Sequence, residues 1–193
     1  MKAVIKAGAP AALKTPALIV FLSAEDQPSL PGRPELAGLA GLIGPRLKQG
    51  DFKAKHLEAL VLFPEGKKGP ERIILVGMGP AKEIDPAKIR QASAKGVQAA
   101  RELGLDSAAV LMPAIPGAAD PQAAAETVML GAFLGGYDFD ELKTKEEDKK
   151  KPLRSLTLVR TGTMSYPAAS YGVSTGKSRL KGEASFGELK PPF

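Results

Sequence analysis

The chain has 193 residues, 44% of them hydrophobic and 25% charged, with a formal net charge of +6. These values fit one globular domain of ordinary size, or one domain with a tail. Cysteine is absent, which excludes disulfides, thiolate metal sites and a cysteine nucleophile.

The start, Met-Lys-Ala-Val-Ile-Lys, is basic, but no signal-type apolar region follows it. The longest apolar run, Ala17 to Leu22, is too short to cross a bilayer. A cytoplasmic protein without membrane contact is the expectation. Ala3–Ile5 and Leu18–Leu22 read as the first two buried strands. A helix is predicted over Glu35–Lys48, because Leu36, Leu39, Ala40, Ile43 and Leu47 fall at helical spacing. Gly38, Gly41 and Gly44 weaken it, and Pro45 should kink or end it.

Leu60–Phe63 and Ile73–Val76 give two more strands. The second predicted helix opens with Asp85 as cap and Pro86 in the first turn. Ile89, Ala92, Gly96, Val97, Ala100 and Leu103 form its apolar stripe, and Gly104 stops it. Ala108–Met112 is the fifth strand. A third helix repeats the start with Asp120 and Pro121, turns Ala124, Val128, Ala132 and Leu134 inward, and should stop at Gly135-Gly136. Tyr137 and Phe139 should then pack on the domain. The run Glu146–Lys151 reads as an exposed loop, and Leu156–Val159 as the last strand. Strands alternate with helices, so the expected fold is a three-layer α/β domain around a mixed, mostly parallel sheet. Residues 1–160 are taken as the domain. Residues 161–193 lack apolar periodicity, and little stable structure is expected there.

Several constellations invite a chemical reading. Asp138, Asp140 and Glu141 are the closest carboxylates, but no histidine accompanies them, and a solvated turn is the simpler account. His56 is the only histidine, so it cannot form a site with a second one. The turn "GMGPAK" at 77–82 begins like a dinucleotide fingerprint, but Lys82 replaces its third glycine and the helix starts later. "GVSTGKS" at 172–178 misses the phosphate-loop spacing by one residue. Basic residues form two local groups, Arg46, Lys48, Lys53 and Lys55, and Lys149–Lys151. The tail carries +2 of the net charge, which leaves +4 on residues 1–160. No catalytic, cofactor-binding or metal-ligating residue is assigned.

Four stretches, in order, carry a resemblance. They are "GDFKAK" at 50–55, "RIILVGMG" at 72–79, "GAFLGGYDFDELKTK" at 131–145 and "SLTLVR" at 155–160. Together they resemble the amino-terminal domain of the leucine aminopeptidase (cytosol aminopeptidase) family. The resemblance implies a macrodomain-like fold. It also implies a hexameric parent enzyme that removes amino-terminal residues from peptides with two divalent metals, zinc, manganese or magnesium. In that family the closing strand leads to a larger catalytic domain with an "NTDAEGR"-type motif. This chain contains no asparagine, and after Arg160 the family pattern is not found. The expectation is therefore a non-catalytic domain, inactive alone, that contacts the catalytic domain and neighbouring subunits. Some bacterial members of the family bind DNA, so a weak nucleic-acid-binding module is the alternative. An ADP-ribose-type small-molecule binder is a third reading, resting on fold analogy.

Overall fold

The apolar runs pair into one sheet. In the computed structural model, which describes residues 1–27, 30, 33–65, 68–113, 121–137, 152–161 and 183–185, the strands are β1 (Lys2–Ala7), β2 (Leu18–Leu22), β3 (Ala59–Leu62), β4 (Ile73–Gly77), β5 (Ser107–Leu111), β6 (Ser155–Arg160) and β7 (Glu183–Ser185). Their order is β3-β4-β2-β5-β6-β1-β7. The five inner strands run parallel, and β3 and β7 pair antiparallel at the two edges.

Every residue of β2 and β4 is buried. Unbroken apolar runs are what a parallel sheet covered on both faces requires. Alternate side chains point to opposite faces. Ile19, Phe21, Ile74, Val76, Val110 and Leu158 join one cluster with helices α2 (Pro86–Glu102) and α3 (Pro121–Gly136). Leu18, Val20, Leu22, Leu75, Leu111 and Val159 face the other way, toward helix α1 (Ala40–Gln49) and the turn before it. The predicted three layers are therefore present.

The first helix differs from its prediction. Pro34–Leu39 is a 3-10 turn, and only Ala40–Gln49 is α-helical. Pro45 sits inside α1 without ending it. Pro45 and Gly41, whose i−4 bond the proline removes, are both exposed, so water can take up the orphaned carbonyl. The second helix follows its sequence signals. Asp85 accepts from the Lys88 amide at 2.7 Å. At the other end the Leu105 and Gly104 amides donate to Ala100 and Arg101 carbonyls, with Gly104 at φ +71°. That is a Schellman stop.

The third helix ends at Gly136, as its double glycine implies, but corrects two other expectations. Leu134 is 57% exposed and Tyr137 68% exposed. Asp120 and Phe139 lie outside the described residues. The glycines serve close packing. A Cβ on Gly131 would lie 2.1 Å from the Arg90 carbonyl oxygen, and one on Gly135 would lie 2.3 Å from that of Ala94. The backbones of α3 and α2 thus touch. Two buried polar groups weld the contact: the Ser93 hydroxyl donates to the Val128 carbonyl at 2.6 Å, and Arg101 Nη1 reaches the Gly135 and Tyr137 carbonyls at 3.5 Å each. A cation at the carbonyl end of a helix also complements its dipole.

β6 ends at Arg160. Beyond it, Glu183–Ser185 form β7, against the expectation of little stable structure at those positions. The reason is the open edge of β1, whose unpaired backbone groups give even a short segment a partner.

Gly131→Ala should destabilise the domain by about 1–3 kcal/mol, because the added methyl drives the two helices apart. Gly41→Ala meets nothing within 4 Å. It should instead stabilise by roughly 0.5–1 kcal/mol through helix propensity. Urea unfolding midpoints of the two variants check both signs.

Candidate functional site

In open α/β sheets ligands bind where parallel strands end, at their carboxyl edge. Here β2 leads into the turn Ala24–Asp26, and β4 leads into the Gly-Met-Gly-Pro turn. A phosphate site at that edge needs free backbone amides. In this turn they are already used. The Met78 amide donates to the Leu22 carbonyl and the Gly79 amide to the Ala54 carbonyl, both at 2.9 Å. Pro80 has no amide hydrogen, and the Ala81 amide donates to the Glu25 carboxylate at 2.8 Å. Asp85 fills the start of α2. The "GMGPAK" segment is therefore a self-satisfied turn whose donors face the protein's own oxygens.

Gly77 explains the tightness. A Cβ there would sit 2.0 Å from the Lys55 carbonyl oxygen, so only glycine lets the 54–55 chain cross the end of β4. The "GDFKAK" loop is held in place by that crossing. Phe52 and Ala54 are fully buried, and Gln27 Nε2 donates to the Phe52 carbonyl at 2.7 Å. The Glu58 carboxylate accepts from the Lys53 and Lys55 amides at 3.0 and 2.9 Å. Ala54 and Leu57 adopt φ of +53° and +63°. A left-handed non-glycine residue costs about 1–2 kcal/mol, which these bonds offset.

Behind the same edge lies a buried ion cluster. Arg33 Nη1 donates to Asp26 at 2.9 Å, and Arg33 also pairs with Glu35. Asp26 further accepts from the Ser23 amide at 2.7 Å. One guanidinium shared by two shielded carboxylates fixes the path from β2 to α1. His56 bonds through Nε2 to the Gln91 side-chain oxygen at 2.9 Å, and its Nδ1 is shielded with no partner. No carboxylate orients it, so it lacks the arrangement of a general base.

Arg46 pairs with Asp51 at 3.3 Å, and Lys48, Lys53 and Lys55 are exposed. Lys149–Lys151, the cluster Asp138, Asp140 and Glu141, and the "GVSTGKS" segment lie outside the described residues. Among the described residues no group of three or more histidine, cysteine or acidic side chains converges to hold a metal. No described helix is long and apolar enough to cross a membrane.

What sequence reasoning missed is a surface. Leu130 and Leu134 are 50% and 57% exposed and lie four residues apart on α3, and Tyr137, which follows the helix's last residue, is 68% exposed. That spacing places the two leucines on one helix face. The signal was present in the run Val-Met-Leu-Gly-Ala-Phe-Leu, which is apolar on every side of a helix. A helix of that kind is normally buried all round.

The Glu25 carboxyl is held below the ordinary glutamate range, chiefly by the Ala81 amide that donates to it. A depressed pKa gives stability that is present above the ordinary value and lost as pH falls through the lowered one. Glu25→Gln should therefore flatten the decline in thermal midpoint between about pH 5 and pH 3, measured against the unaltered chain.

The profile of the cytosol aminopeptidase family, N-terminal domain, matches residues 18–146. A probable cytosol aminopeptidase of Nitrosococcus oceani is 28% identical over 179 residues, 92% of this chain and 36% of that one. A tomato leucine aminopeptidase mutant superposes with a TM-score of 0.63 at 20% identity, covering 84% of this chain and 33% of that one. The macrodomain of Mycobacterium tuberculosis DarG matches with a TM-score of 0.52 at 16% identity, over 80% of this chain and 96% of that one. The fold is thus macrodomain-like, and the chain spans about a third of the length of the aminopeptidases it resembles. With more than half of its residues inside the family profile, this chain belongs to the cytosol aminopeptidase family, of which it carries the amino-terminal domain.

Proposed function

We propose that this domain assembles and positions the catalytic part of a metal-dependent leucyl aminopeptidase. In this reading the parent enzyme works in the cytoplasm and removes amino-terminal residues from peptides, using two divalent metals held outside this domain. The observation that carries the reading is the outer face of α3 together with Tyr137 just past its end. Leu130, Leu134 and Tyr137 are three of the five large hydrophobic side chains exposed among the described residues. An apolar stripe of that kind is a usual mark of a protein contact. The relatives supply a body to cover it, since about two thirds of their length lies outside the match. The turn after β4 supports the same view from the other side. Its Met78, Gly79 and Ala81 amides are satisfied internally, which disfavours an ADP-ribose-type phosphate at that turn.

The test combines this chain with the part of the Nitrosococcus relative that follows the matched third. The two should co-sediment, and Leu134→Glu should weaken association by about tenfold or more, as for a central apolar contact. The thermal midpoint of the free domain should not change, because Leu134 is already exposed. The chain alone, given zinc, manganese or magnesium, should not hydrolyse leucine amide above background. Failure to associate, or metal-dependent turnover by the purified chain, would overturn the reading.

A further inference from the structure

The outer edge of β1 carries a second surface, independent of α3. β1 pairs with β6 on its inner side over its whole length, Lys2 with Ser155 through Ala7 with Arg160. On its outer side three pairs are present among the described residues: Val4 with Ser185, Ile5 with Ala184 and Lys6 with Glu183. β1 and β7 both lie outside the span that matches the family profile.

This pairing is not imposed by a tight connection. Arg160 ends β6 beside Ala7, and Glu183 begins β7 beside Lys6. The two points are separated by one strand, a gap of about 10 Å at the usual strand spacing. Residues 161–182, far more than a turn needs, connect them. A segment so remote in sequence sits on β1 because the edge accepts it.

The charges say what the edge accepts. If two copies of β1 paired antiparallel about Val4, Lys2 would face Lys6 twice. Like charges directly opposite destabilise a pair of strands, and edge lysines are a common guard against self-association. β7 instead sets Glu183 opposite Lys6. Opposite charges across strands are favourable.

We propose that the outer edge of β1 is a strand-acceptor site for an extended peptide in antiparallel register that sets a carboxylate opposite Lys6, a place that Glu183–Ser185 occupies in this chain. The ligand class is a polypeptide strand, with backbone hydrogen bonds giving affinity and a carboxylate opposite Lys6 giving selectivity.

Ala184→Pro in the full chain removes an amide and blocks the ladder at β7. The probe is a labelled synthetic peptide copying residues 180–187. The unaltered chain should bind it poorly, and the Ala184→Pro chain at least about tenfold more tightly, a difference well above that of a single exposed contact. Adding Lys6→Glu should abolish that gain, and a peptide with lysine in place of its glutamate should restore it. Amide exchange at Val4–Lys6 should also be faster in Ala184→Pro than in the unaltered chain. Equal peptide affinity for the two chains, indifference to the charge at position 6, or unchanged exchange would each overturn the proposal.

Discussion

Both faces of the sheet must be kept from water, and the rest of the domain follows from that constraint. β2 and β4 have no exposed residue, so a helix layer on one side alone would leave Ile19, Phe21, Ile74 and Val76, or Leu18, Val20, Leu22 and Leu75, in solvent. Each such side chain is worth about 1.5–3 kcal/mol on burial. α1 and its preceding turn cover one face, and α2 with α3 cover the other. For α3 to help cover its face while lying against α2, the two helices must approach at backbone distance. Gly131 and Gly135 permit this, and Ser93 and Arg101 satisfy the carbonyls that come close. The outward face of α3 is then fixed, with Leu130 and Leu134 upon it and Tyr137 just past its end.

The sheet was legible because continuous Val, Ile and Leu runs have one good solution, a strand covered on both sides. All six predicted strands form, though Phe63 falls just past β3 and lies 6.0 Å from the Arg72 guanidinium, in cation–π contact. The capped second helix was legible for a local reason: Asp85, Pro86 and Gly104 each satisfy a terminal need of the backbone. The third helix ends where its double glycine implies, but glycine has a second use there. Read locally, Gly135-Gly136 is a stop. In space Gly135 is a place without a side chain, required by a helix some forty residues earlier. Leu134 was assigned inward from its apolarity, yet on a helix apolar all round, composition cannot say which side faces the core. β7 could not be foreseen, because strand addition at an edge depends on the acceptor and leaves little trace in the added segment.

The carboxyl edge shows how a macrodomain-like scaffold can be occupied by itself. Glu25 stands where an anionic ligand could meet the Ala81 amide, and Asp85 does the same at the start of α2. Glu83 is held to Lys88 at 2.9 Å nearby, which lowers its pKa as well. The loop at 50–58 adds its own oxygens. Sequence could place Asp85 as a cap, but it could not assign the Ala81 amide to Glu25, since those two residues are 56 positions apart.

Parallel pairing of β1 with β6 has a consequence for the order in which the chain is made. Lys2 and its partner Ser155 are separated by nearly the whole domain. At roughly 5–20 residues per second, β6 follows β1 out of the ribosome by about ten to thirty seconds. For that interval β1 has neither of the neighbours it pairs with here. Sheet closure is therefore a late event in biosynthesis, and β1 must stay soluble by its own composition while it waits. Lysines at positions 2 and 6, spaced to lie on one side of a strand, suit that waiting period.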